Sequence, residues 1–282
     1  MLCFRRLLIN QRSLVNQRCI SSAAVKVDKS VLKELRSSTG FPFVKIKDAL
    51  LKNENNPAKA AAWLHEQAKA ENWQKAQKLS SRSTSQGLVG LYQAGNSVGA
   101  GTLLCETDFV ARNSIFVNML FRISQSVCDL SLGVLELSAE EVANLNSENK
   151  LISEHVVLTV GSLGENIKPG SSFAFKGTNN QTVSTYVHGA VKTELENFQM
   201  GSHVGVVLFE GAVEESLGKQ IAQHIVGMNP AWVSSEDNDE NCLVNQAMLH
   251  DASKTVGQIA EQEGFKILDF KRLTFLKPEE ES

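Results

Sequence analysis

No apolar run in this sequence is long enough to cross a bilayer. The longest, such as His203–Phe209, have the length of a strand, so no membrane association is expected. No Gly-rich loop runs into Lys-Ser or Lys-Thr, no GxGxxG follows a strand pattern, and no HExxH occurs. The usual means of cradling a nucleotide phosphate or a catalytic zinc are therefore missing. No nucleotide, cofactor or metal is expected to bind the chain directly, and no catalytic residues are expected. Cysteine is scarce, five in 282 residues, with no CxxC or CxxH spacing. That excludes a disulfide framework and a zinc ribbon. Cys105 and Cys128 stand among apolar residues and read as small core side chains. His65, His155, His188, His203, His224 and His250 are scattered without ligand spacing.

Acids are absent from Met1 to Val27, where Arg5, Arg6, Arg12, Arg18 and Lys26 contribute +5 to a formal net charge of −3, so the remainder carries −8. An acidic body argues against general phosphate-backbone binding, and no nucleic-acid partner is expected. The basic, Ser-containing leader has one apolar helical face, formed by Leu2, Leu7, Leu8, Ile9, Leu14 and Val15. It reads as a mitochondrial transit peptide over residues 1–21, with cleavage near Ser21 after Arg18-Cys19-Ile20. Arg12 and Arg18 interrupt any secretory apolar region. The expected location is the mitochondrial matrix.

The body of the chain predicts an α+β protein. Residues 28–70 read as three short helices. Asp28 caps the first, Thr39-Gly40-Phe41-Pro42 stops it, and Asn56-Pro57 opens the third. This small bundle resembles the ubiquitin-associated type, which is used mainly for docking. Residues 71–87 turn polar and read as a linker. A core of two similar subdomains, 88–172 and 173–278, follows, with helices packed on antiparallel strands. In the first, Leu88–Gln93 and Val98–Glu106 are strands. Val110–Leu130 is a helix, Ser138 to Glu141 is a capping box, and a helix through His155 ends at Gly161 or Gly164. In the second, Phe173–Phe175, Thr182–Val187 and His203–Phe209 are strands. Leu217–Val226 is a helix stopped by Gly227 and Asn229-Pro230, Val244–Glu263 is helical, and Phe265–Phe275 is a last strand. The repeat is visible in Tyr92, Gly95 and a strand ending at Glu106, matched by Tyr186, Gly189 and a strand ending at Glu210.

The informative segment runs from Glu106 to Asn113, between a strand and a helix. Two readings are open from the residues. Thr107 or Asp108 caps the helix while Phe109 points into the core. Alternatively, the corner presents a carboxylate and a large ring to a partner's pocket.

The run Thr107-Asp108-Phe109-Val110-Ala111-Arg112 resembles the signature of elongation factor Ts, in which Thr-Asp-Phe-Val-Ala precedes a basic residue. Other similarities follow in that family's order. They are Leu32 to Arg36 with Thr39-Gly40, Ala49-Leu50, Leu163-Gly164-Glu165-Asn166-Ile167, Tyr186-Val187-His188-Gly189, Gly205-Val206-Val207, and Lys254-Thr255-Val256-Gly257-Gln258. The resemblance covers roughly Lys29 to Lys277. It implies a mitochondrial guanine nucleotide exchange factor, not an enzyme, whose partner is mitochondrial elongation factor Tu. It implies that Asp108 and Phe109 reach between two helices of the GTPase near its Mg²⁺ and phosphates, Phe109 as a wedge. Thr107, Leu163 and Gly164 would serve the same contact. His188, in the second subdomain, would grip another domain, and the bundle would touch the GTPase domain. Three departures from the bacterial pattern stand out. Phe41-Pro42-Phe43-Val44 replaces a Met-rich turn, Ala190–Met200 lengthens a link, and Val233–Lys254 leaves room for a short helix only. The alternatives are a docking adaptor using the bundle alone, a hydrolase or transferase using Cys105, and RNA binding through Lys69–Arg82.

Overall fold

A computed structural model describes residues 27–39, 41–130, 133–234 and 239–275. The transit segment expected over residues 1–21 lies outside them. The chain divides into two compact units, residues 1–68 and 69–282.

The first unit holds α1 (Lys29–Thr39), α2 (Phe43–Lys52) and the start of α3 (Pro57–Leu79). Asp28 opens α1 by accepting the Ser30 N–H at 2.8 Å. Asn56 opens α3 by accepting the Lys59 N–H at 3.0 Å, with Pro57 where its missing N–H costs nothing. Leu32, Leu35, Ile46, Leu50 and Leu64 make a small shared core. Phe43 and Val44 stay outside it, 50% and 67% exposed.

The second unit begins within α3. It continues through β1 (Gln86–Ala94), β2 (Ser97–Cys105), α4 (Asp108–Ala111), α5 (Ser114–Asp129), β3 (Val134–Leu137) and α6 (Ala139–Ala143). A small ribbon of β4 (Asn146–Ser147) and β5 (Lys150–Leu151) precedes α7 (Ile152–Leu163). Then come β6 (Lys168–Lys176), β7 (Gln181–His188), β8 (Phe198–Gly201), β9 (His203–Glu210) and α8 (Glu215–Met228). A second ribbon of β10 (Ala247–Met248) and β11 (Asp251–Thr255), then α9 (Val256–Glu263) and β12 (Lys266–Thr274), completes it.

Two antiparallel sheets, ordered β3-β6-β2-β1-β8 and β12-β9-β7, stack face to face. Strand alternation explains the stacking. Val89, Leu91, Val98, Ala100, Phe173 and Phe175 of the first sheet meet Val183, Val187, Val204, Val206 and Leu208 of the second. The intervening residues face helices. Phe116, Leu120, Ile123 and Val127 of α5 lie on the first sheet, and Ile221, Ala222 and Ile225 of α8 on the second. The unit is thus helix, sheet, sheet, helix, the α+β architecture the sequence predicts. The repeat has a geometric basis. Tyr92 lies opposite Gly99 and Tyr186 opposite Gly205. A Cβ at Gly99 would run into the Ser124 and Cys128 backbone of α5, and one at Gly205 into the Ala222 carbonyl of α8. Each glycine lets a helix lie directly on its sheet.

Several elements differ from the sequence reading. α3 runs to Leu79 through a stretch that composition reads as linker, because Ala76 and Leu79 pack on the core. Val110–Leu130 is two helices, since the Asn113 side chain accepts the Ile115 N–H at 2.9 Å and restarts the helix. Phe173–Phe175 sits in β6 of the first sheet, not in the second. The Ala190–Met200 stretch carries most of β8, whose buried Phe198 and Met200 alternate with exposed Gln199 for too few residues to stand out. Gly227 lies inside α8, which ends at the left-handed Asn229. The helix expected over Val244–Glu263 is only α9. Thr255 and Gln258 form a capping box that starts it there, and upstream Asp251 takes the Ser253 N–H and hydroxyl into a turn.

Gly99→Ala and Gly205→Ala should each cost about 1–3 kcal/mol by overpacking, read as a lower urea midpoint at unchanged slope. Gly95→Ala, with open space around it, should cost less despite its φ of 60°.

Candidate functional site

β2 ends at the buried Cys105, and the chain turns at Glu106 into the four-residue helix α4. Thr107 is the N-cap. Its backbone is still extended (φ −128°, ψ 152°), as an N-cap requires, and its hydroxyl oxygen accepts the Val110 N–H, which starts the helix. So short a helix has little stability of its own. It is held from α7 instead. α7 ends at Leu163, and Gly164 takes the left-handed conformation (φ 77°) that swings the next residues toward the corner.

Glu165 then clamps the turn. One carboxylate oxygen accepts the Glu106 and Thr107 N–H groups at 3.2 and 3.1 Å. The other accepts the Thr107 hydroxyl at 2.6 Å. Glu106 reciprocates, its carboxylate accepting the Asn166 N–H at 2.7 Å. Arg82 stands 3.5 Å from the other Glu106 oxygen, and the Asn166 amide donates to the Arg82 carbonyl at 2.6 Å. Charge-assisted bonds of this kind are stronger than neutral ones. Beneath the clamp, Cys105 and Ala111 are buried in the core.

The corner displays what it does not bury. Phe109 is 83% exposed, and Asp108 beside it is exposed as well. Leaving that ring in water forgoes about 1.5–3 kcal/mol of burial. The capping role falls to Thr107, and Phe109 is not a core residue. The clamp ties Thr107, which precedes Asp108 and Phe109, to Glu165, which follows Leu163 and Gly164, across more than fifty positions of sequence. Leu163 is half-buried against the core and Gly164 is exposed. His188 does not join them. It ends β7 on the other sheet, opposite His203 with ring centres 5.8 Å apart, and 6.4 Å from the Tyr186 ring. These three line a cleft of about 250 Å³ with Val226 and Leu249. The roles of Glu106, Glu165 and Asn166 escape sequence reasoning. Their motifs are visible, but nothing in the sequence pairs them.

The Cys105 thiol is pushed up to about 12, first by burial and then by the charge of Glu165, so it stays protonated at neutral pH. Gly95-Asn96-Ser97-Val98-Gly99 has the spacing of a hydrolase nucleophile elbow. It lies across the β1–β2 hairpin, with Ala94 paired to Ser97, not on the strand-to-helix turn such an elbow requires. Among the described residues, no cluster of three or more His, Cys, Asp or Glu side chains could hold a metal. No helix among them is long and apolar enough to cross a membrane.

Glu165→Ala should cost about 2 kcal/mol of stability and speed hydrogen exchange at the Glu106 and Thr107 amides. Unchanged protection there would show that the clamp does not hold the corner. Native Cys105 should resist alkylation at pH 8 until the protein is unfolded.

Residues 106–240 match the family model described as elongation factor TS, and residues 16–74 match the one for the N-terminal part of mitochondrial elongation factor Ts. Relatives named as mitochondrial elongation factor Ts agree along nearly the whole chain. The one from Nematostella vectensis is 34% identical over 285 residues, covering 87% of this chain and 98% of its own. The one from Drosophila melanogaster is 34% identical over 270 residues, covering 87% and 85%. The one from Mus musculus is 34% identical over 276 residues, covering 90% and 84%. The chain belongs to the elongation factor Ts family, mitochondrial type, and is a mitochondrial protein of translation elongation.

Proposed function

We propose that this protein is a guanine nucleotide exchange factor that binds mitochondrial elongation factor Tu and releases its GDP without bond chemistry of its own. The observation that carries this reading is the Phe109 ring, 83% exposed on a corner clamped by two glutamates. A ring kept in water on a rigid mount is suited to enter a partner's pocket. Asp108 beside it supplies a carboxylate for polar contacts near the GTPase's Mg²⁺ and phosphate site. Gly164, having no side chain, lets the partner's surface approach the same corner.

The energetics call for more than one patch. An exchange factor must bind the empty GTPase better than the GDP-bound one, and by linkage it weakens GDP by the same factor. A thousandfold weakening needs roughly 4 kcal/mol of differential binding. One aromatic anchor contributes about 2–3 kcal/mol, so further contacts are needed. His188 on the second sheet and the bundle over residues 28–70 are the candidates.

A second reading, a docking adaptor that works through the bundle alone, draws on the exposure of Phe43 and Val44. The two readings separate experimentally. Under the first, Phe109→Ala leaves the melting temperature nearly unchanged yet lowers the rate of labelled GDP release from mitochondrial elongation factor Tu by about a hundredfold. Asp108→Asn acts in the same direction but less strongly. Normal release by Phe109→Ala at full folding would overturn the exchange reading. Loss of partner capture on Val44→Asp alone would favour the adaptor.

A further inference from the structure

His224 is the one fully buried histidine among the described residues, and the Phe109 corner makes no use of it. It lies on the inner side of α8, where an apolar side chain would satisfy the core. Both of its ring nitrogens are committed to one short segment. Nε2 meets the Gln246 side-chain oxygen at 2.9 Å, and Nδ1 accepts the Leu249 backbone N–H at 3.1 Å. The polarity of both bonds is set by the partners. The Gln246 NH₂ group is directed to the Glu240 carbonyl at 3.2 Å, so its oxygen faces the ring and Nε2 carries the proton. A backbone N–H can only donate, so Nδ1 is bare. The ring is therefore the neutral Nε2–H tautomer. Burial lowers its pKa; the Gln246 bond works against this, and the neighbouring His250 adds a smaller lowering.

Leu249 and His250 form the two-residue tip of the β10–β11 hairpin, where Met248 pairs with Asp251. His250 is tied to α8 as well, through Gln223 at 3.1 Å. Met248 is buried, but the Leu249 side chain is 46% exposed. It lies over Gly227, 3.6 Å from where a Cβ would stand, and lines the cleft that holds His188 and Tyr186. A buried polar ring is thus used to fix the backbone beneath an exposed leucine.

We propose that His224 is a positioning residue for partner docking: it holds the hairpin tip so that Leu249 completes, with Tyr186 and His188, a preformed apolar notch for a side chain of the partner GTPase. This rests on the reading that the His188 face contacts that partner. The notch needs the tip in one place, because a loose leucine would lose its freedom only on binding and weaken the complex.

The test uses His224→Asn, His224→Gln and Leu249→Ala in the full chain, with mitochondrial elongation factor Tu as partner. Asparagine places an oxygen where Nδ1 stands and keeps the Leu249 bond. Glutamine reaches Gln246 but leaves the Leu249 N–H without its acceptor. The expected result is a Gln variant with a Leu249 amide that exchanges at least tenfold faster and an affinity about tenfold weaker. The Asn variant should stay within about twofold of the parent protein in both. Equal losses in the two variants, tracking their melting temperatures, would reduce the ring to a structural role and overturn the proposal. Full affinity of Leu249→Ala would also overturn it, while leaving the Phe109 wedge, which is tested separately, untouched. The unaltered protein gives an independent readout: its imidazole ¹⁵N shifts at neutral pH must report Nε2–H with Nδ1 hydrogen-bonded, and an Nδ1–H tautomer would overturn the assignment.

Discussion

The exchange of hydrogen bonds between Glu106 and the Glu165–Asn166 pair is the constraint on which the candidate site depends. Each carboxylate satisfies backbone N–H groups that the end of a strand or helix leaves open. A four-residue helix cannot hold a ring in one orientation by itself. Tied to the end of α7 on one side and to the buried Cys105 and Ala111 on the other, it can. The same clamp explains why a phenylalanine remains in water without the corner collapsing to cover it. Its backbone has no freedom to turn inward.

The stacked sheets supply the frame. Helices lie on both outer faces because Gly99 and Gly205 allow direct contact with α5 and α8. The two halves use this solution for different ends. In the first, the strand after the glycine leads into the Phe109 corner. In the second, β7 delivers His188 to a cleft whose far wall is the hairpin tip held by His224. Two separate surfaces on one sandwich suit the proposed exchange function, in which more than one contact is needed to supply the differential binding energy.

In both places a buried or half-buried polar side chain fixes the backbone at or just before an exposed apolar residue. Glu165 holds Thr107, two residues before Phe109, and His224 holds Leu249 itself. Displacing a nucleotide requires contacts that exist before the partner arrives, since any ordering of the factor on binding subtracts from the differential energy available.

The sequence by itself determined the local elements and the family. Capping at Asp28, Asn56 and Ser138, the short apolar runs of β2 and β9, and the lack of phosphate-binding or metal-ligand spacing are all local patterns, legible within a few residues. Their order along the chain carried the resemblance to elongation factor Ts. Local patterns also misled. Polar composition concealed the end of α3, four residues were too few to reveal β8, and a helical-looking run concealed the β10–β11 hairpin. Only the tertiary structure decided whether Phe109 points inward or outward, because a capped helix start is compatible with either. It alone joined Glu165 to Thr107 and His224 to Leu249. Those bonds span 58 and 25 positions, and what fixes such pairs is the pairing of Leu104 with Lys168 inside the first sheet and the packing of Met248 on α8, not any spacing along the chain.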